Sequence, residues 1–124
     1  MEKLYVENGR LMAGGAPLLL RGFGLGGWLL PEGYMWRFYT KCDRPRRIEA
    51  LIEKLCGAEY AASFWERYYG SYITEADIRL AAQNGFNSVR LPFNARHLRE
   101  PGYLRCIDDC VRWCGKHGLS LIHI

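Results

Sequence analysis

Gly85-Phe86-Asn87-Ser88-Val89-Arg90-Leu91-Pro92 is a short apolar run, broken by one arginine and closed by a proline. Such a run reads as a strand, and because it does not alternate, as one covered on both faces. Upstream, Thr74-Glu75-Ala76-Asp77 resembles a capping box with Asp77 in place of Glu or Gln. It opens an amphipathic helix that stops at Asn84-Gly85. Downstream, residues 103–117 read as a helix stopped by Gly118, and 119–124 are apolar enough for another strand. Buried strands separated by helices indicate an α/β architecture with parallel strands.

Working outward, Leu18-Leu19-Leu20-Arg21-Gly22-Phe23-Gly24 is a second continuously apolar strand. Before it, Leu4-Tyr5-Val6 and Leu11-Met12 flank Asn8-Gly9, the strongest short hairpin signal, and Gly14-Gly15-Ala16-Pro17 is another turn. A long loop covers 25–42. Two helices follow: one over 45–56, with Asp43 as its cap and Gly57 at its end, and one over 58–69, ending at Gly70.

The 124 residues are 49% hydrophobic and 24% charged, which excludes disorder and leaves room for one modest domain. The longest purely apolar run is Pro17-Leu18-Leu19-Leu20, so no membrane span is expected. The start shows no secretory signal, and the five cysteines do not follow a secreted disulfide framework. Reduced thiols in a cytoplasmic protein are expected. The net charge of +4 is mild, and Lys41, Arg44, Arg46 and Arg47 read as a solvated helix face rather than a nucleic-acid surface. The oligomeric state is open.

Four features could carry chemistry. Gly22, Gly24 and Gly27 match G-x-G-x-x-G after a strand, but a dinucleotide site needs a helix to start there, and Pro31 and Gly33 follow instead. The other reading is a strand end where the backbone runs close under its neighbours. Arg90 stands late in its strand, where a barrel directs polar side chains into an active-site mouth; a structural ion pair is the alternative. Trp28, Glu32, Tyr34 and Trp36 place rings beside a carboxylate on the loop, which suits sugars, and equally suits a lid packed on the rim. Cys106, Cys110 and Cys114 at i, i+4 and i+8, with Tyr103, Ile107 and Val111, read as a buried helix stripe and not a metal site.

Leu20-Arg21-Gly22-Phe23-Gly24-Leu25-Gly26-Gly27-Trp28-Leu29-Leu30 resembles the opening motif of glycoside hydrolase family 5, the cellulase and exoglucanase family. Phe23 and Gly24 depart from it, where the family often has Val and Asn. Tyr72-Ile73-Thr74-Glu75-Ala76-Asp77-Ile78, the Gly85 to Pro92 stretch, and Ile107 to Gly118 with Trp113 match its following elements in order. The resemblance implies a partial (β/α)8 barrel: the hairpin plus roughly the first three β/α units. It implies retaining hydrolysis of a β-glucan or related β-glycan, which needs two carboxylates roughly 5 Å apart and no cofactor. By resemblance, Arg90 matches the arginine that holds the nucleophile ionised. Glu32 and Tyr34 match a substrate-contacting pair, and Trp28 and Trp36 are further candidates for sugar contact.

The family's acid/base glutamate follows an Asn after the fourth strand, and its nucleophile follows the seventh. No glutamate here stands in an Asn-Glu-Pro context; Glu100 precedes Pro101 but follows Arg99. Residues 1–124 are therefore expected to be the N-terminal portion of one catalytic barrel that takes about 250 residues, inactive and poorly folded on its own. Leu119-Ser120-Leu121-Ile122-His123-Ile124 departs from the family and is also encoded by one frame of a transposon-end sequencing adapter, so 119–124 are expected to be foreign. A non-catalytic carbohydrate-binding protein is the alternative, and a nucleotide-dependent oxidoreductase the third reading.

Overall fold

Asn8 and Gly9 take the left-handed backbone, with φ of 48° and 73°, as a tight two-residue hairpin turn demands. The computed structural model, which describes residues 4–38 and 41–123, accordingly pairs β1 (Leu4–Glu7) with β2 (Arg10–Ala13), Leu4 opposite Ala13 and Glu7 opposite Arg10. Gly14 and Gly15 turn the chain again, and β3 (Ala16–Pro17) joins β2, so this sheet has three antiparallel strands rather than two.

The second sheet is parallel, in the order β4 (Gly22–Gly24), β5 (Ser88–Leu91), β6 (Ser120–His123). Parallel neighbours need a crossover, and helices supply it. The connection from β4 to β5 holds α1 (Pro45–Cys56), α2 (Ala58–Ser71) and α3 (Glu75–Gln83); that from β5 to β6 holds a 3-10 turn (Ala95–His97) and α4 (Pro101–His117). Val89 and Leu91 point to one face of the sheet and are buried with Ile78 and Ala81 of α3 and with Cys110 and Cys114 of α4. Leu119 closes the same core. The fold is thus mixed α/β with a parallel sheet backed by helices. Among the described residues the sheet does not close into a barrel. Ile124, the end of the expected last strand, lies outside the described residues.

The α3 start matches its reading: Asp77 accepts from both the Thr74 backbone N–H and the Thr74 hydroxyl at 2.8 Å, completing a capping box. Gly57 and Gly118 end α1 and α4 with φ of 81° and 74°.

Four expectations are corrected. The apolar run over 18–24 is a strand only over Gly22–Gly24, and it is not covered on both faces: Leu19 is 68% exposed and Phe23 40%. β4 is an edge strand, so its outer side has no strand neighbour among the described residues. Asp43 does not cap α1, whose cap position is Arg44; its carboxylate is taken by Arg44 at 2.7 Å and Arg47 at 3.0 Å. The Arg44 hydrogen bond holds the Asp43 carboxyl down at about 2. α2 runs on past Gly70 to Ser71. Val111 leaves the buried stripe of α4 and is half exposed, while Cys110 and Cys114 stay in the core. All five cysteines are free thiols.

Candidate functional site

The glycines of β4 explain how Arg90 sits. Ser88 and Arg90 project from the sheet face opposite the helices, the face on which Gly22 and Gly24 lie in register with them. A Cβ on Gly22 would come 2.2 Å from the Ser88 Oγ, and one on Gly24 would come 3.3 Å from the Arg90 guanidinium. The Gly-rich run is therefore the close-approach strand end, with the arginine laid across it. The chain after Gly27 continues as turns and bends, so no helix N-terminus faces these glycines.

The sequence leaves two readings of Arg90 open, a polar group directed into a barrel mouth and a structural ion pair. Arg90 is exposed, whereas Ser88 on the same sheet face is buried, so that face is covered at the start of β5 and open at Arg90. No carboxylate pairs with it among the described residues, so the structural ion pair that competed with a functional reading is not present there. The Leu25 N–H donates to the Arg90 carbonyl at 2.8 Å, which ties the start of the long loop to the C-terminal end of β5.

That loop dives into the core before it returns to the surface. Leu25, Trp28, Leu29 and Pro31 are buried, and a buried loop backbone must find hydrogen-bond partners. The phenols supply them. Tyr68 donates to the Gly27 carbonyl at 2.5 Å, and Tyr103 donates to the Leu29 carbonyl while accepting from the Asn94 N–H at 2.7 Å. In return the Trp28 indole N–H donates to the Tyr69 carbonyl at 2.8 Å. Trp28 is fully enclosed, so its ring offers no face to a ligand: this candidate sugar contact is a core anchor. Burial pushes the Tyr103 phenol up to about 12 and raises Tyr68 and Tyr69 as well, so all three phenols stay protonated at neutral pH.

The other three candidates sit on the returning segment. The Glu32 carbonyl accepts from the Met35 and Trp36 N–H groups at 3.0 and 3.2 Å, making a tight turn. Trp36 packs its ring on Trp65, Phe64 and Tyr68 of α2, with centroids 5.1 to 6.2 Å apart. This packing holds the turn against α2. Tyr34 at the tip is 69% exposed. Glu32 is half-buried, and its carboxylate makes no hydrogen bond or ion pair among the described residues. No such bond links Arg90 to Glu32 or Tyr34 either. The structure thus provides one exposed cation on the sheet face opposite the helices, and one unpaired carboxylate with an exposed phenol on the loop.

Three side chains with structural partners are not marked by any sequence motif: Tyr68, Tyr103 and His97. A phenol in an apolar helix stripe, as at Tyr103, signals a polar partner beneath it. At His97, Nε2 lies 3.0 Å from Glu49 of α1 and Nδ1 2.7 Å from Glu100. Burial alone would lower its pKa, but the two carboxylates outweigh that and raise it.

Comparison with known proteins adds the following. No family model matches the chain. Over 116 residues, 87% of the chain, it is 31% identical to a "Beta-xylosidase" of Phanerodontia chrysosporium, covering 24% of that protein. Over 111 residues, 83% of the chain, it is 32% identical to a "Probable glucan 1,3-beta-glucosidase A" of Emericella nidulans, covering 27% of it. Over 68 residues it is 38% identical to "Endoglucanase C" of Acetivibrio thermocellus, covering 48% of the chain and 20% of that protein. The chain spans about a quarter of the length of the curated relatives it matches. Over most of its length it is a distant homologue of family 5-type glycosidases.

Proposed function

From that homology to β-glycoside hydrolases, we propose that residues 1–124 form the first part of a retaining β-glycosidase barrel, the hairpin and the first three β/α units, whose complete form hydrolyses a β-glucan or related β-glycan. The two catalytic carboxylates lie on later strands under this reading, and the chain by itself is inactive. Arg90 is the supporting observation within the structure. It is a guanidinium with no carboxylate partner among the described residues, on the strand face that a completed barrel would turn inward. Beside the nucleophile, such a cation favours the ionised carboxylate that retention requires. Glu32 and Tyr34 then border the sugar from the first loop, with Trp36 behind them. The five free thiols fit a reducing, cytoplasmic setting.

The test is the complete gene product assayed on β-1,3-glucan, β-1,4-glucan and an aryl β-xyloside, with the anomer of the first product followed by NMR. Hydrolysis with retention is expected. Gluco-oligosaccharide binding without turnover transfers the assignment to a non-catalytic carbohydrate binder, and neither binding nor turnover overturns the reading. In the active protein, Arg90→Lys is expected to lower kcat by about 10²-fold or more, as loss of one fixed charge-stabilising donor does. It should also move the acid limb of the pH profile upward, which a purely structural role for Arg90 would not do.

A further inference from the structure

Among the described residues a large concavity is unassigned, a cleft of about 740 Å³ on the helix side, between α1 and α2 on one wall and α4 on the other. Arg90, Glu32, Tyr34 and Trp36 take no part in it. Its floor is apolar: Ala61, Tyr69 and Tyr103 are all buried there, and the alanines of the first turns of α2 give it depth. Its rim is acidic, within a chain whose net charge is +4. Three of the rim carboxylates already have partners: Glu49 lies against Arg96 and His97, Glu100 against His97, and Asp109 against Arg112. Glu53 of α1 and Glu66 of α2 are exposed, and their carboxylates make no hydrogen bond or ion pair among the described residues. The lining cation besides His97 is Arg105, on the α4 wall.

A concavity of this size with an apolar floor and a few polar groups has the dimensions of a small-molecule site. The two unneutralised carboxylates set the sign of its occupant. We propose that the cleft binds an amphipathic organic cation, an amine on an apolar body, with the body on the alanine and tyrosine floor and the ammonium against Glu53 and Glu66. The inference is independent of the glycosidase reading.

Tryptamine and its neutral isostere tryptophol, titrated into the chain at low micromolar concentration by ligand-observed NMR, separate the charge from the apolar surface. Tryptamine is expected to saturate one site and tryptophol to bind at least several-fold more weakly. Glu53→Gln and Glu66→Gln should each weaken tryptamine by about two- to fivefold, the effect of one solvent-screened ion pair, and leave tryptophol unchanged. Ala62→Trp, which fills the cleft from its exposed wall, should abolish both. Far-UV circular dichroism checks folding, and if Ala62→Trp disturbs the fold the two glutamine variants on exposed helix surface carry the test. Equal affinity for the two probes, insensitivity to both glutamine substitutions, retained binding in a folded Ala62→Trp variant, or no saturable binding each overturns the proposal.

Discussion

Individual side chains show where chemistry and packing compete. An imidazole with carboxylates on both ring nitrogens can donate to both only when protonated, so the Glu49–His97–Glu100 bridge is built for the imidazolium. The raised pKa means the bridge stabilises the fold fully below the unfolded histidine value near 6.5, and that contribution fades as pH rises through the higher folded value. Urea midpoints measured between pH 5.5 and 8.5 should fall with pH in the native chain and flatten in His97→Gln; an unchanged slope would remove this role. Gly22 is a second case. Its missing Cβ is what lets β5 approach, since the atom would lie 2.4 Å from the Ser88 carbonyl oxygen. Gly22→Ala should cost about 2 kcal/mol or more, the range of core overpacking, read as a lowered urea midpoint. Arg90 and Trp28 mark how far site residues are legible from sequence. The strand position of Arg90 follows from its neighbours in the chain. Its exposure does not, because that depends on what covers the far face of the sheet. Nothing in the run from Gly24 to Leu30 tells which ring enters the core, since an indole suits a sugar face and a buried carbonyl equally well.

Whole elements depend on how sharply their ends are marked. The hairpin, α3 and the ends of α1 and α4 are legible because each carries a local device: Asn8-Gly9, the Thr74–Asp77 box, Gly57 and Gly118. β4 is not, because a run of leucines has no period to show where pairing begins. The start of α1 is misread because two arginines outbid the helix amides for Asp43. The capping box gives a direct check: Thr74→Ala should destabilise by about 1 kcal/mol, with Asp77→Asn smaller, in thermal or urea melts. Tyr103→Phe should cost more, about 1–3 kcal/mol, because it leaves the Asn94 N–H and the Leu29 carbonyl without their partner.

At the scale of the molecule, the parallel sheet has helices on one face, while the other is covered at Ser88 and open at Arg90. β4 and β6 both lie at its edges, and Phe23, Leu20 and Ile122 are exposed around them. Unpaired edges beside apolar surface template association. Sedimentation velocity of the chain should show concentration-dependent self-association, and Ile122→Lys should reduce it; a monomer at all concentrations would count against this. Motif order makes the α/β class legible, and among the described residues the parallel sheet has three strands and does not close.

The phenol clasps on Gly27 and Leu29 have a consequence for motion. A loop whose carbonyls are held by α2 and α4, and whose Trp28 holds α2 in return, cannot open while those helices stay docked. Amides of residues 25–36 and of α2 should therefore exchange their hydrogens at one shared rate, as a single unfolding unit, although one is irregular chain and the other a helix.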